Sequence, residues 1–144
     1  MNLFGMLELS GSALGAERQR AEVVASNMAN VQTTRTPQGG PYRRQMVVFQ
    51  AQRAPRFSLA LAGLHPGTAS AVRVAAVVSD QRPPVMRFEP GHPDANAEGY
   101  VAYPQVDPVE EMTDLLGAVR AYELNASAVQ ATKNMITQSL DLMR

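Results

Sequence analysis

The chain has 144 residues, 45% hydrophobic and 18% charged, with a formal net charge of zero and neither cysteine nor tryptophan. That is about one domain of a globular or assembling chain; it excludes a disordered composition, disulfides and thiolate metal sites. Met1 to Leu9 lacks a basic region followed by a long apolar run, so no secretory signal is expected, and the longest apolar run, Val74 to Val78, is far short of the roughly 20 residues of a membrane span.

Asn2 to Met28 reads as a helix. Phe4, Leu7, Gly11, Leu14, Ala21, Ala25 and Met28 share one face at 3-4 spacing, interrupted by Arg18. Gly5, Gly11 and Gly15 each cost up to about 1 kcal/mol relative to alanine. The helix is therefore weak alone, and its small residues suit close approach by a partner helix. Its end is expected at Asn27 to Asn30, because asparagine tolerates a left-handed C-cap.

Thr33 to Pro41 (TTRTPQGGP) is turn or loop material. From Tyr42 to Tyr103 the period changes to two. Gln45 to Gln52 and Ala71 to Val78 are predicted strands, the second with Val72, Val74 and Val78 on one face and Arg73 on the other. Val85 to Phe88 and Gly99 to Tyr103 are shorter candidates, separated by the turn-rich Glu89 to Asn96. A β-rich insert of this size has a marginal core, so it must lean on the helices or on neighbouring subunits.

The last helix has a legible start. Asp107-Pro108-Val109-Glu110 places an acid at N-cap, proline at N1 and glutamate at N3, an Asp form of the capping box. Glu111 and Asp114 add negative charge where the helix dipole favours it. Beyond them an apolar heptad runs through Met112, Val119, Ala126, Lys133 and Leu140, with Leu115, Tyr122, Val129, Ile136 and Met143 three residues on. Only Lys133 breaks it. Such a seam buries against other helices, this chain's own or a neighbour's. Met28, Met112, Met135 and Met143 are flexible fillers for imperfect packing. From Pro108 to Met143 the helix would run about 54 Å. The expected fold is mainly α with a small β insert (α+β). A helix in residues 1–31 and one in 107–144 pair as a coiled coil, and a loop and β-rich insert fill 32–106.

Charge is unevenly spread. Val23 to Ser79 holds six arginines (35, 43, 44, 53, 56 and 73) and no acid, whereas Asp80 to Arg144 holds ten acids and five bases. These are either solvated faces or complementary surfaces, the basic middle of one copy meeting the acidic end of another.

No chemistry-bearing constellation stands out. Glu110, Glu111 and Asp114 are accounted for by capping and have no histidine nearby in sequence. His65 and His92 sit in Pro/Gly-containing segments at no ligand spacing. There is no P-loop, GxGxxG, HExxH or GxSxG. Arg35, Arg43 and Arg44 have only Tyr42 and Phe49 as nearby stacking partners, which argues against a nucleic-acid surface and for an acidic partner surface. No catalytic, cofactor or metal residue is assigned.

Particular motifs identify a family. SGSALGAERQR (Ser10 to Arg20) and ASNMANVQTTRTPQGGPYRR (Ala25 to Arg44) contain the S-N-x-A-N-x-x-T signature as Ser26, Asn27, Ala29, Asn30 and Thr33. GYVAYPQVDPVEEM (Gly99 to Met112), RAYELN with Arg120, Tyr122, Glu123 and Asn125, and ATKNM (Ala131 to Met135) follow. In these, covering both ends and about half its length, the chain resembles the bacterial flagellar basal-body rod proteins, nearest the short proximal-rod members. Gln32 and Gln105 stand where that pattern has asparagine, and the middle, about Ala51 to Glu89, has no counterpart in it. The resemblance implies a structural, non-enzymatic subunit of the rod, the drive shaft that transmits torque across the periplasm. It implies export, unfolded and without a cleaved signal, by the flagellar type III export apparatus. It further implies helical assembly with itself and other rod subunits through terminal helices that order on assembly. No small-molecule substrate, nucleic acid or transmembrane segment is expected. The expected assembly seam is Leu7, Leu14, Met28, Met112, Leu115, Val119, Tyr122, Val129, Ile136 and Leu140. A soluble coiled-coil adaptor for one partner helix would share the heptads but gives no reason for SNMAN or RAYELN.

Overall fold

The computed structural model describes residues 3–53 and 69–142. Arg56, His65 and Met143 lie outside them. Two long helices flank two small antiparallel sheets, a mostly helical α+β arrangement. The helices are α1, Leu3–Ala29, and α2, Pro108–Asp141. At 1.5 Å per residue they run about 40 and 51 Å. They pack antiparallel: Asn27 of α1 meets Glu111 of α2, and Arg20, two turns back along α1, meets Asp114. Among the described residues no helix is long and apolar enough to cross a membrane.

Strands β1 (Gln45–Arg53) and β2 (Ala69–Ser79) pair antiparallel from Gln45↔Ser79 to Arg53↔Ala69. Strands β3 (Val85–Phe88) and β4 (Tyr100–Tyr103) pair separately from Val85↔Tyr103 to Phe88↔Tyr100. Two-stranded sheets are marginal alone, and the longer one leans on α1, where the Val72 amide donates to Ser12 Oγ at 2.9 Å. The connection in the shorter one needs glycine. Gly99 has φ +82°, and a Cβ there would come within 2.9 Å of the Phe88 ring.

The buried apolar core among the described residues is small: Ala16, Val24, Val101, Pro104 and Ala118. Alanine lets the two helices approach closely, and that choice sets the phase of their contact. On α2 the buried line is Glu111, Ala118 and Thr132, with Asn125 half-buried between them, a heptad one residue before the predicted one. Met112, Val119, Tyr122 and Leu140 are instead each more than two-fifths exposed, while Leu115, Val129 and Ile136 are half-buried. On α1 the contact falls on Ala16, Val24 and Asn27. Leu7, Leu14, Ala21 and Met28 are half-buried, but Phe4, Gly11 and Ala25, expected on the same face, are exposed.

Two local expectations are corrected. No non-glycine residue among those described has positive φ, so α1 does not end on a left-handed asparagine. Its end is closed by a side chain: Asn30 Nδ2 donates to the Ser26 carbonyl at 2.8 Å, and Asn30 Oδ1 accepts from Thr33 Oγ1 at 3.1 Å. In β2 a bulge leaves Ala75 without a partner between the Val48↔Ala76 and Phe49↔Val74 pairs. One extra residue shifts the alternation, so Val78 does not continue the Val72–Val74 face and is exposed.

Candidate assembly interface

The chain's most constrained site is a buried polar joint where α1, β1 and α2 meet. Asn27 supplies its centre. Its Nδ2 donates to the Gln45 carbonyl at 2.8 Å and to Glu111 Oε2 at 2.9 Å. Its Oδ1 accepts from the Gln45 amide at 2.9 Å and from the Tyr42 hydroxyl at 3.0 Å. Both donors and both acceptor positions of the amide are used, so burial leaves nothing unsatisfied. The amide mimics a strand neighbour to Gln45, tying the first residue of β1 to the last turns of α1.

Glu111 is fully buried. Capping and helix polarity do not account for it, contrary to the sequence reading. Its Oε1 accepts from Arg44 Nε, and Arg44 Nη2 also reaches Glu110 at 3.1 Å and Asp114 at 3.5 Å. Arg20 Nη2 meets the other oxygen of Asp114 at 3.2 Å. Burial opposes the charge on Arg44. The hydrogen bond to Glu111 and the fields of Glu111, Glu110 and Asp114 outweigh it and raise its pKa above the usual arginine range. A buried ion pair is weak evidence of net stability, but breaking one member leaves an uncompensated charge. The joint therefore specifies how the three elements meet.

The cap at α2 is simpler than a capping box. Asp107 Oδ1 accepts from the Val109 amide at 2.9 Å. Glu110 does not complete the box; its carboxylate turns to Arg44. Two of the middle arginines meet acids within their own chain: Arg44 as above, and Arg35 with Asp94 at 3.9 Å. Arg43 donates to Gln81 at 2.9 Å. His92 belongs to a turn, where its Nδ1 accepts from the Asp94 amide at 3.1 Å.

The remaining motif residues divide into two groups. Ser26 and Asn30 serve the end of α1, Ser26 Oγ lying 3.4 Å from the Tyr42 hydroxyl. Asn125 bonds the Ala121 carbonyl at 2.8 Å within α2. Arg120, Tyr122 and Glu123 are exposed, and among the described residues none of their side chains has a partner. Around them the surface is apolar. Val109, Met112, Leu116 and Val119 form an exposed stripe at 3-4 spacing. Beside it a groove of about 360 Å³ between the helices is lined by Glu17, Arg18, Ala21, Ala118, Val119 and Tyr122. Sequence reasoning missed the pairing of Arg44 with Glu111. A usable signal was the heptad of small and polar residues, Glu111, Ala118, Asn125 and Thr132, beside the apolar one.

Comparison with known proteins matches both ends of the chain. Residues 7–35 match the family described as flagella basal body rod protein, and residues 97–142 match the C-terminal family of the flagellar basal body rod FlgEFG proteins. Relatives named flagellar basal-body rod protein FlgC match over almost the full length of the chain. That of Bacillus subtilis is 42% identical over 99% of both chains. That of Borreliella burgdorferi is 37% identical over 100% of this chain and 99% of its own. That of Salmonella typhimurium is 39% identical over 99% of this chain and 98% of its own.

Proposed function

Because this chain belongs to the FlgC family of flagellar basal-body rod proteins, we propose that it builds the rod through the exposed apolar faces of α1 and α2. It is a structural subunit of the basal-body rod and not an enzyme. The observation that carries the assembly reading is the apolar stripe on α2: Val109, Met112, Leu116 and Val119 are 71%, 54%, 57% and 43% exposed. A contiguous exposed apolar face of this kind marks an interaction surface.

In this reading, residues 1–31 and 107–144 form the helical layer of the rod, paired as a coiled coil. The insert, 32–106, makes outer contacts. The seam residues turned outward, Met112, Val119, Tyr122 and Leu140, pack against helices of neighbouring rod subunits, itself and others, and the assembled shaft transmits torque. Export by the flagellar type III apparatus without a cleaved signal, and passage of the rod through the periplasm, belong to the same proposal. A small core and a glycine-containing α1 support it, since such a chain unfolds readily and gains order from partners.

Deletion of the gene in its source bacterium, imaged by electron cryotomography, tests the proposal. Loss of the rod and all beyond it, with the membrane base retained and rescue by the wild-type gene, is expected. Intact rods and hooks would overturn it.

A further inference from the structure

The groove between the helices holds a carboxylate oxygen with an ion-pair partner but no hydrogen-bond donor. Glu17 forms part of its wall with a side chain only 16% exposed. Its Oε2 is buried without a hydrogen-bond donor, and the nearest cation, Arg20 Nη1, stands 3.8 Å away. Arg18 at the rim is engaged by Glu22 at 3.0 Å. The floor is small and apolar, Ala21 and Ala118, and the Tyr122 hydroxyl at the edge has no partner among the described residues. Elsewhere on α2, Lys133 is the chain's single lysine. It is exposed, and its ammonium has no partner among the described residues. On its helix it is flanked by the apolar Val129 and Ile136 and by the polar Gln130 and Thr137.

We propose that this groove receives the Lys133 segment of α2 from a second copy of the chain, the lysine stem lying over Ala21 and Ala118 and its ammonium pairing with Glu17. The inference rests on the self-assembly reading above and names its contact. A long aliphatic stem covers small apolar residues while its head seeks a carboxylate. Within one chain the pairing cannot form. Lys133 lies fifteen residues along α2 from Ala118, about 22 Å, out of reach of its own groove. Because groove and lysine are different patches, the contact is head-to-tail and can repeat without closing on itself, as a filament requires.

The test mixes ¹⁵N-labelled and unlabelled full-length chain, cross-links amines to carboxylates with a carbodiimide and maps the products by mass spectrometry. A Glu17–Lys133 link joining labelled to unlabelled peptides is expected. Glu17→Gln or Lys133→Gln should remove it and weaken association roughly tenfold, with helicity by circular dichroism unchanged. The exchange Glu17→Lys with Lys133→Glu should restore association. No link between copies, links that bypass Glu17, or an exchange that fails to rescue overturns the proposal. In a strain lacking the native gene, rods restored equally by wild type, Glu17→Gln and Lys133→Gln would reject the docking and leave the rod reading standing. Rods that persist without any copy would reject the rod reading itself.

Discussion

Asn27 is a helix residue that completes a strand. Its amide offers Gln45 one donor and one acceptor, as a ladder neighbour does, and its two remaining hydrogen-bonding positions hold Glu111 and Tyr42. Asn27→Asp keeps the shape but replaces the donor by lone pairs facing the Gln45 carbonyl and the buried Glu111 carboxylate. At neutral pH this should cost about 3 kcal/mol or more. The introduced carboxyl would have a raised folded-state pKa, because burial and Glu111 both oppose its charge. The deficit is then largest above that pKa and shrinks as pH falls through it. Urea unfolding at pH 7 and at pH 5 checks the sign. Arg44 and Glu111 give an asymmetric pair. Arg44→Met strands a carboxylate with no exposure and should cost about 3–5 kcal/mol. Glu111→Gln leaves Arg44 with Glu110 and Asp114 and should cost less. In a double-mutant cycle the combined loss should fall well below the sum of the two; additive losses would mean that the two side chains act independently.

At the scale of elements, the sequence locates what is decided locally. The start of α2 is set by Asp107 and Pro108, the turn before β1 by Gly39 and Gly40, and the short strands by their two-residue period; the observed bounds differ by at most two residues. The phase of the helix contact was not legible. Hydrophobic periodicity marks residues that demand burial somewhere, and it picked Met112 and Val119. The contact inside the chain selects for size and hydrogen bonding instead, and so falls on Glu111, Ala118 and Thr132. The Arg44–Glu111 pair was hidden for another reason: its members are 67 residues apart and only the tertiary fold brings them together. The bulge at Ala75 carries no glycine to announce it. Because Glu110 and Glu111 ride on the first turn of α2, the cap and the joint are coupled. Asp107→Ala removes the acceptor for the Val109 amide and should cost about 1 kcal/mol. Amide exchange should accelerate first at Val109, with the Glu111 region following; unchanged protection there would separate cap from joint.

For the whole molecule, the shifted phase means that neighbouring positions on α2 answer to different partners. Ala118 is 1% exposed and faces α1, whereas Val119 is 43% exposed and faces outward. An aspartate at the first puts an unpaired charge between two helices whose core is only a few small residues, so Ala118→Asp should unfold the chain. The same charge at Val119 stays in water in the isolated subunit. Its cost there should be within about 0.5 kcal/mol, and helicity and melting should match the wild type. In an assembled rod, where the proposal buries Val119 against a neighbour, the charge would lose its water and several kcal/mol with it. Val119→Asp should therefore fold normally but fail to restore rods in a deletion strain. Ile136→Asp, half-buried in the chain, should lose rods too and some stability besides. Melting curves and rod counts on the three variants separate intrachain from intersubunit packing. Normal rods with Val119→Asp would remove the outward seam from the assembly mechanism, and a folded Ala118→Asp would mean that the helix contact has the phase first read from the apolar heptad.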